Sequence, residues 1–556
     1  MSLLWRNRLV ASGAALAAIW LGVLVADGDW VVPSLLAVLA VGAVVAFWAE
    51  ASLATLTVGA LLFGYLVGNR GFAQLMPFPG LPLLPAEIGL VVAGGWIAVQ
   101  CAFAHRLPYR RDALNGLIFA WLVAGSVRAF FDVRVHGVVA LRDFAMVYYA
   151  AFFFVAQHLA AEAAARRFLV SALVAASALQ PLAALASEAF PAFFHSFLSW
   201  RGVPLILFKG DLALTFMAVS AFVLAFAVAG RARPFALVGA TVLLALAIGG
   251  DNRASILGAL AGLGWLALSS ARRFVAAQAA ALAGLFLIVS AAALLTEADW
   301  AEKKFHGVTE RVQSLTDYFG HGTYVSAESA MKGDNNRFRS LWWEKVVEET
   351  LADGPVFGLG FGHDLARNFL REYNPDMAED FTARSPHSIL VSIVGRLGFA
   401  GLALFLVLMA AVAVRTWRAV RRPDTPSVSL GLWAAAWTIF VSACFGVVLE
   451  GPMGAVVFWT LLGLLNVPAE TAAPAPGTAV DSPPAAARPA VAAHLVADRE
   501  PELATAATPP ARRAVPPPVA PAAAPALPAP AAAAGVRAPS EPHLRLPPAV
   551  PPSPSA

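Results

Sequence analysis

Charged residues are scarce in this chain, at 13% of 556 residues, against about 25% in an ordinary soluble domain. Hydrophobic residues reach 59%, and the mean hydropathy is +0.70. This balance excludes a soluble globular protein and indicates an integral membrane protein.

Cysteine is nearly absent: Cys101 and Cys444 are the two copies, and both lie in apolar runs. We therefore predict neither a disulfide framework nor a cysteine metal cluster. Internal repeats are also lacking, whereas transporters are often built from two related halves. The net charge of +4 is modest and says little about partners. We expect no nucleic-acid partner and no cofactor.

Long apolar runs dominate the remaining sequence. A helix needs about 17–25 such residues to span a bilayer core, and about fourteen runs are candidates if the two that flank Glu50 are counted separately, although 235–249 is short. They are 9–26, 32–49, 52–68, 86–104, 113–130, 144–162, 168–186, 211–229, 235–249, 254–269, 274–295, 388–414, 430–449 and 452–466. The predicted fold class is all-α, a polytopic transmembrane helix bundle of about 12–14 spans.

Arginine in short loops predicts the orientation, because such loops stay in the cytoplasm. The loops fall on one side if the helices alternate, and they carry Arg6/Arg8, Arg106/Arg110/Arg111, Arg166/Arg167, Arg231/Arg233, Arg272/Arg273 and Arg415/Arg418/Arg421/Arg422. We expect the N-terminus and the C-terminal tail on that cytoplasmic side.

Two segments interrupt the helical pattern and divide the chain. Residues 1–295 and 388–467 hold the predicted spans, and residues 296–387 form one large outer loop of mixed polarity. Residues 468–556 are rich in Pro and Ala, which predicts a disordered cytoplasmic tail. The tail is interpreted as a flexible spacer, with a docking strip for a partner as the alternative.

Several basic residues are predicted on the outer side, although Lys and Arg are usually concentrated on the cytoplasmic side. They are Arg70, Arg128, Arg134, Arg142, Arg201, Lys209, Arg253 and Arg396. Snorkelling to the interface explains the first three. The others suggest an anionic ligand at the outer leaflet, and a pyrophosphate group fits the bidentate geometry of guanidinium.

Arg253 and Arg142 are each predicted to open a helix. Positive charge at a helix N-terminus opposes the macrodipole, which favours a function for Arg253 in "IGGDNRASILGAL". Arg142 has Asp143 beside it as a structural partner, so a structural and a functional role stay equally open.

The outer loop contains "RFRSLWWE", whose spacing predicts a helix over 337–352. Arg339 and Trp343 are four residues apart and share a face. Trp343 can pack on a sugar ring or serve as plain packing. The following "GPVFGLGFG" is a glycine-rich turn region that suits close backbone approach to a ligand.

His387 follows Ser385-Pro386 and precedes a long apolar helix. An imidazole there can accept a proton from an attacking hydroxyl, and neighbouring arginines favour its neutral form. A structural histidine that caps the loop is the alternative.

These motifs, in this order and around one large outer loop, resemble the bacterial O-antigen ligase and O-antigen polymerase superfamily. "NRASILG", "RFRSLWWE", "GPVFGLGFG" and "SPHSILVSIVGRLGFAGLALF" carry the resemblance, and "ALRDFAMVYYA" and "FGVVLEGPMGAVVFWTLLGLL" fit it. It covers most of the chain up to about residue 466. The family commonly has about twelve spans, and its helix-opening arginine usually follows a serine where this chain has Asn252.

The resemblance implies metal-independent, inverting glycosyl transfer at the periplasmic face of the inner membrane. The donor is an undecaprenyl-pyrophosphate-linked glycan, and the acceptor is lipid A core or another glycan. Arg253, Arg339 and His387 match the functional positions. The expected pyrophosphate helpers are Arg142, Arg201, Lys209 and Arg396, and Trp343 is the expected glycan-binding residue.

Other functions stay open beside the ligase. A polymerase or a protein O-glycosylating enzyme would share the donor. A transporter or flippase would be a different class of protein. A non-catalytic scaffold would bind polysaccharide-assembly proteins.

Asp27 and Asp29 in "ADGDW" are interpreted as turn formers, with a metal-linked acid pair as the alternative.

Overall fold

The computed structural model describes residues 51–77, 83–104, 109–250, 252–295, 327–373 and 384–467, together with Gly22 and Ala26. Apart from Gly22 and Ala26, the predicted first two spans lie outside these residues, as do the aspartates at 27 and 29 and the Pro/Ala-rich tail. The chain divides into two units, Met1–Thr478 and Ala479–Ala556, and every described residue belongs to the first.

Helices account for nearly all of the described structure. The first eight are α1 (Leu53–Phe63), α2 (Asn69–Ala73), α3 (Pro85–Ala104), α4 (Ala113–His136), α5 (Val138–Tyr148), α6 (Ala151–Ala160), α7 (Ala163–Ala189) and α8 (Gly210–Ala227). The next eight are α9 (Arg233–Gly249), α10 (Arg253–Ala267), α11 (Arg272–Leu295), α12 (Ala327–Asp353), α13 (Arg367–Tyr373), α14 (Ile389–Arg421), α15 (Ser427–Cys444) and α16 (Pro452–Leu465). A short antiparallel hairpin, β1 (Ser199–Trp200) and β2 (Val203–Pro204), precedes α8.

Seven helices of the described residues are long and apolar enough to cross a membrane, or eight if the bent pair α5 and α6 is one span. Three shorter apolar helices also occur, at Leu212–Ala227, Arg253–Ala267 and Pro452–Leu465. The all-α polytopic fold is thereby confirmed. The number of 12–14 spans and the domain boundaries stay predictions.

Two spans depart from a straight α-helix. Gly64–Gly68 forms a π-helical turn between α1 and α2, and Asn69 follows it with a positive φ of 51°. The pair α5 and α6 bends by 40° just after Tyr148 and Tyr149. Both tyrosine hydroxyls donate to Glu87 Oε1, at 2.6 Å and 2.5 Å, so the carboxylate of α3 supports the bend.

Helix α14 is also broken, at Gly398, whose φ is 67°. Its 33 residues would extend about 50 Å as a continuous helix, well beyond a hydrocarbon core of about 30 Å. The break separates a short first segment, 389–397, from a second segment, 399–421, that is itself long enough to span. The predicted run 388–414 therefore contains two helical segments.

The glycine-rich residues 354–362 supply the hydrogen bonds that this break removes. The N–H groups of Phe399 and Ala400 donate to the carbonyls of Pro355 and Val356, at 3.0 Å and 3.1 Å. In return, the Leu359 N–H donates to a carbonyl of the first segment at 2.7 Å. Because unsatisfied backbone groups are costly away from water, this exchange stabilises the break.

A polar cluster ties the opposite end of the bundle together. The carboxylate of Asp112, which caps α4, lies 3.1 Å from Arg415 of α14. Asn115 and Gln157 exchange two amide hydrogen bonds, at 3.0 Å and 2.9 Å, and Asn466 at the end of α16 also donates to Gln157. Four helices are joined at this end, through the buried amides of Asn115, Gln157 and Asn466 and the half-buried pair of Asp112 and Arg415.

Candidate active site

Residues 445–451 form the turn between α15 and α16, hereafter the α15–α16 turn. Its Phe445 carbonyl accepts a hydrogen bond from Arg339 Nη1 at 3.1 Å. Just before the turn, Ser442 Oγ donates to the Ala254 carbonyl at 2.9 Å. The turn therefore brings Arg339 of α12 beside the start of α10.

Arg253 is the first residue of α10, as the sequence predicts, and it is half-buried. Asn252 caps the helix, since its Oδ1 accepts from the Ser255 N–H at 3.1 Å. The asparagine found in place of the family's usual serine thus performs an ordinary capping role. The helix start, and with it the position of Arg253, is locally defined.

Lys209 lies at the N-cap position of α8, and its backbone N–H donates to Asn69 Oδ1 at 3.1 Å. The second turn of α8 packs on the turn before α10, since a Cβ at Gly250 would lie 2.6 Å from Leu214. The structure therefore brings the helix starts of Lys209 and Arg253 together.

His387 has a φ of 59°, one of three positive values among non-glycine residues that the structure describes. A non-glycine residue held in this region costs about 1–3 kcal/mol and is concentrated at functional sites. Its N–H donates to Ser385 Oγ at 3.2 Å, and its ring centre is 6.2 Å from that of Trp342. The imidazole is therefore held in a strained turn against an aromatic cluster.

The two tryptophans of "LWWE" have different roles. Trp342 is 1% exposed and packs in a small core with Phe369, whose ring lies parallel to it at 5.9 Å between centres. Trp343 is half-buried, and its indole N–H donates to the Pro386 carbonyl. Trp343 therefore contacts the residue just before His387 and fixes that segment against α12.

Glu450 is the charged residue of the α15–α16 turn. Its Oε1 accepts a hydrogen bond from Ser392 Oγ at 2.9 Å, and its carboxyl group is also hydrogen-bonded to Ser385. Burial raises the pKa of Glu450 to about 6, although these two bonds and the charge of Arg396 act in the opposite direction. A titratable carboxyl group thus lies against residues 385–392, hereafter the His387 segment.

Arg396 is 3% exposed, and its Nη1 lies 2.5 Å from Asp143 Oδ2. The same Asp143 oxygen accepts from the Gly362 N–H at 2.9 Å and lies 3.5 Å from Arg384 Nη2. Asp143, which the sequence offers as one possible partner of Arg142, is therefore the partner of two arginines distant in sequence. This placement favours a structural role for Arg396 over direct pyrophosphate binding.

The glycines of residues 354–362 serve contacts within the protein. Gly358, Gly360 and Gly362 have φ values of 74°, 101° and 89°, which a residue with a Cβ rarely adopts. A Cβ added at Gly358 would lie 2.5 Å from the Arg396 carbonyl carbon, and one added at Gly360 would lie 2.4 Å from the Arg128 guanidinium. The close approach predicted for a ligand is therefore made by other segments of this chain.

Two of the predicted pyrophosphate helpers are exposed. Arg142 lies in the second turn of α5, which begins at Val138, so the prediction that it opens a helix was wrong. Arg201 has a φ of 52° in the turn between β1 and β2, and its guanidinium lies 5.2 Å from the centre of the Trp200 ring. Neither placement gives them a described contact with the α15–α16 turn.

The chain was compared with known families and proteins. Residues 238–406 match the family model described as O-antigen ligase. This match covers less than half of the chain. No curated protein matches the chain. The resemblance to the O-antigen ligase and polymerase superfamily is thereby confirmed, and with it a function of ligase or polymerase type in a multi-pass membrane protein.

The matched residues contain Arg253, Arg339 and His387, whereas Asp143 and the α15–α16 turn lie outside them. Sequence reasoning gave Glu450 and Arg384 no role. A carboxylate inside the apolar stretch "FGVVLEGPMG" was the available signal for Glu450, because ionisable groups near hydrocarbon are functional by default. Arg384 gave no signal beyond its place before "SPH".

Proposed function

We propose that the chain transfers a glycan from an undecaprenyl-pyrophosphate carrier to an acceptor at the periplasmic face of the bacterial inner membrane. The supporting observation is that the segments of Arg253, Arg339 and His387 all contact residues 442–451, the end of α15 and the turn that follows it. These elements are far apart in the sequence, and each contributes one residue of the predicted set.

The two arginines are proposed to hold the donor pyrophosphate, with Lys209 as a helper from the adjoining helix start. Their charges stabilise the leaving group as negative charge develops on it, which is the largest contribution in many transfer reactions. Arg142 and Arg201 are exposed and would contact a headgroup only at the rim of such a site.

His387 is proposed to accept the proton of the acceptor hydroxyl. The hydroxyl oxygen forms a bond to the anomeric carbon of the donor sugar, the bond from that carbon to the pyrophosphate oxygen breaks, and undecaprenyl pyrophosphate leaves. Direct attack of this kind inverts the anomeric centre. We propose that arginine charge takes the part that a divalent ion has in other transferases, so that the reaction is independent of metal.

The acceptor proposed is lipid A core, which makes the chain a ligase. The polymerase alternative uses a second lipid-linked glycan as the acceptor and is separated from the ligase by experiment. Both alternatives share the donor and the residues named above.

The test uses the full chain purified in detergent with an undecaprenyl-pyrophosphate-linked glycan, with and without lipid A core, and with EDTA. The readouts are release of undecaprenyl pyrophosphate and the size of the glycan product. We expect transfer to lipid A core that EDTA does not reduce, and its loss in Arg253→Ala, Arg339→Ala and His387→Ala. Arg337→Ala is the matched control, because Arg337 is exposed on the same helix as Arg339.

Longer lipid-linked chains formed without lipid A core would identify a polymerase. A folded wild-type chain that releases no pyrophosphate with either acceptor would refute glycosyl transfer. Equal loss of activity in Arg337→Ala and Arg339→Ala would refute the role assigned to Arg339.

A further inference from the structure

The segment that carries His387 has few local features that hold its strained backbone. Ser388, at the N-cap position of α14, makes no side-chain capping bond. The hydroxyl of Ser385 accepts the His387 N–H, and the Trp343 indole binds the Pro386 carbonyl. Both contacts position the segment, but the group that Ser385 itself binds lies in another part of the chain.

That group is the carboxylate of Glu450 on the α15–α16 turn. It binds the hydroxyl of Ser385 before His387 and that of Ser392 after it, so it contacts both sides of the strained residue. A carboxylate oxygen only accepts hydrogen bonds, which makes it suited to two hydroxyl donors. The turn that holds Arg339 through Phe445 therefore also holds the His387 segment.

We infer that Glu450 is a positioning residue for His387. The ionised carboxylate of Glu450 holds the imidazole in place through Ser385 and Ser392. The inference rests on the proposed function, in which His387 accepts the acceptor proton. Glu450 itself is not assigned a contact with donor or acceptor.

The charge of Glu450 depends on its surroundings on several elements. The charged or titratable groups that face it or lie on the segments it contacts are Arg396 of α14, Asp143 of α5, Arg339 of α12, Arg384 beside Ser385, and His387 itself. Because burial sets the pKa of Glu450 at about 6, the carboxyl group becomes neutral just below neutral pH. Its protonated form then donates one of its own hydrogen bonds, and the arrangement around His387 changes.

Activity should accordingly require two deprotonated groups, Glu450 and His387. We expect log kcat of the wild type to fall with a limiting slope of two at acidic pH. Glu450→Gln should lower kcat roughly ten- to hundredfold with little change in KM, and its acidic limb should have a slope of one. Glu450→Asp, which keeps a carboxylate, should recover part of kcat and the slope of two.

The experiment measures undecaprenyl pyrophosphate release by the full-length detergent-purified chain over about pH 5 to pH 9. Ser392→Ala should lower kcat several-fold and keep the slope of two, because it removes one hydrogen bond and no charge. Ser187→Ala is the matched control, since its hydroxyl binds a carbonyl of its own helix at 2.8 Å.

A second readout does not depend on activity. The imidazole signals of His387, assigned in ¹⁵N-histidine NMR spectra by difference from His387→Gln, should titrate at lower pH in Glu450→Gln because a nearby negative charge is removed. An unchanged His387 titration would overturn the inference even in a chain that releases no pyrophosphate. An active wild type with unchanged kcat and slope in Glu450→Gln would overturn it as well, while leaving the proposed function standing.

Discussion

Asp143→Asn is expected to destabilise the whole site end of the bundle. The substitution keeps the shape of the side chain and an acceptor for the Gly362 N–H but removes the charge. Arg396 would then remain buried without its counter-ion, since the two side chains are only 4% and 7% exposed. Breaking a buried ion pair by removing one partner costs about 3–5 kcal/mol.

Thermal unfolding of the detergent-purified chain, followed by tryptophan fluorescence, measures this cost. We expect a fall in Tm of at least about 5 °C. Limited proteolysis should cleave residues 354–364 faster, because Asp143 also binds Gly362 and faces Arg384. Arg142→Gln is the matched control: it changes one exposed charge in the adjacent position and should leave both readouts unchanged.

The double variant Asp143→Leu with Arg396→Met adds a further check. A buried ion pair can often be replaced by apolar groups at little net cost, so this variant should recover much of the lost stability. A Tm of Asp143→Asn within about 1 °C of the wild type, with equal protection of the loop, would refute a stabilising role for the pair.

Two further substitutions test the broken helix and the His387 segment. Gly398→Ala places a Cβ 2.3 Å from the Val356 carbonyl oxygen at a φ of 67°. It should lower the free energy of unfolding, measured by thermal unfolding, by at least about 2 kcal/mol. The control Gly264→Ala adds a Cβ in open space within a helix and should be neutral or stabilising. Trp343→Phe removes the hydrogen bond to Pro386, and we expect kcat to fall about fivefold with KM unchanged. A rise in KM alone would instead favour the glycan-binding role of Trp343.

Local sequence signals predicted part of the site well. Arg253 was placed at a helix start because a Gly-Asp-Asn turn interrupts two apolar runs, and α12 covers the residues whose spacing predicted a helix. Such signals depend on neighbours within a few residues. They also gave the all-α bundle, since the length and composition of apolar runs are local properties.

Pairings between distant elements could not be predicted in this way. Arg142 is the neighbour of Asp143 in sequence, whereas the ion-pair partner Arg396 is 253 residues away. Glu450 binds Ser392 across 58 residues, and no periodicity in either segment marks the contact. Because ion pairs and hydrogen bonds form between whichever groups the packed helices bring together, tertiary structure decides them.

The broken helix α14 also limits how this chain can be rebuilt. The loop of residues 354–362 supplies the backbone partners of the break at Gly398, and its own N–H groups depend on the carboxylates of Asp132 and Asp143. A chimera that exchanged only the segment between α11 and α14 would separate donors from acceptors at both contacts. A functional exchange of substrate specificity would therefore have to move α4, α5 and the first half of α14 together with that segment.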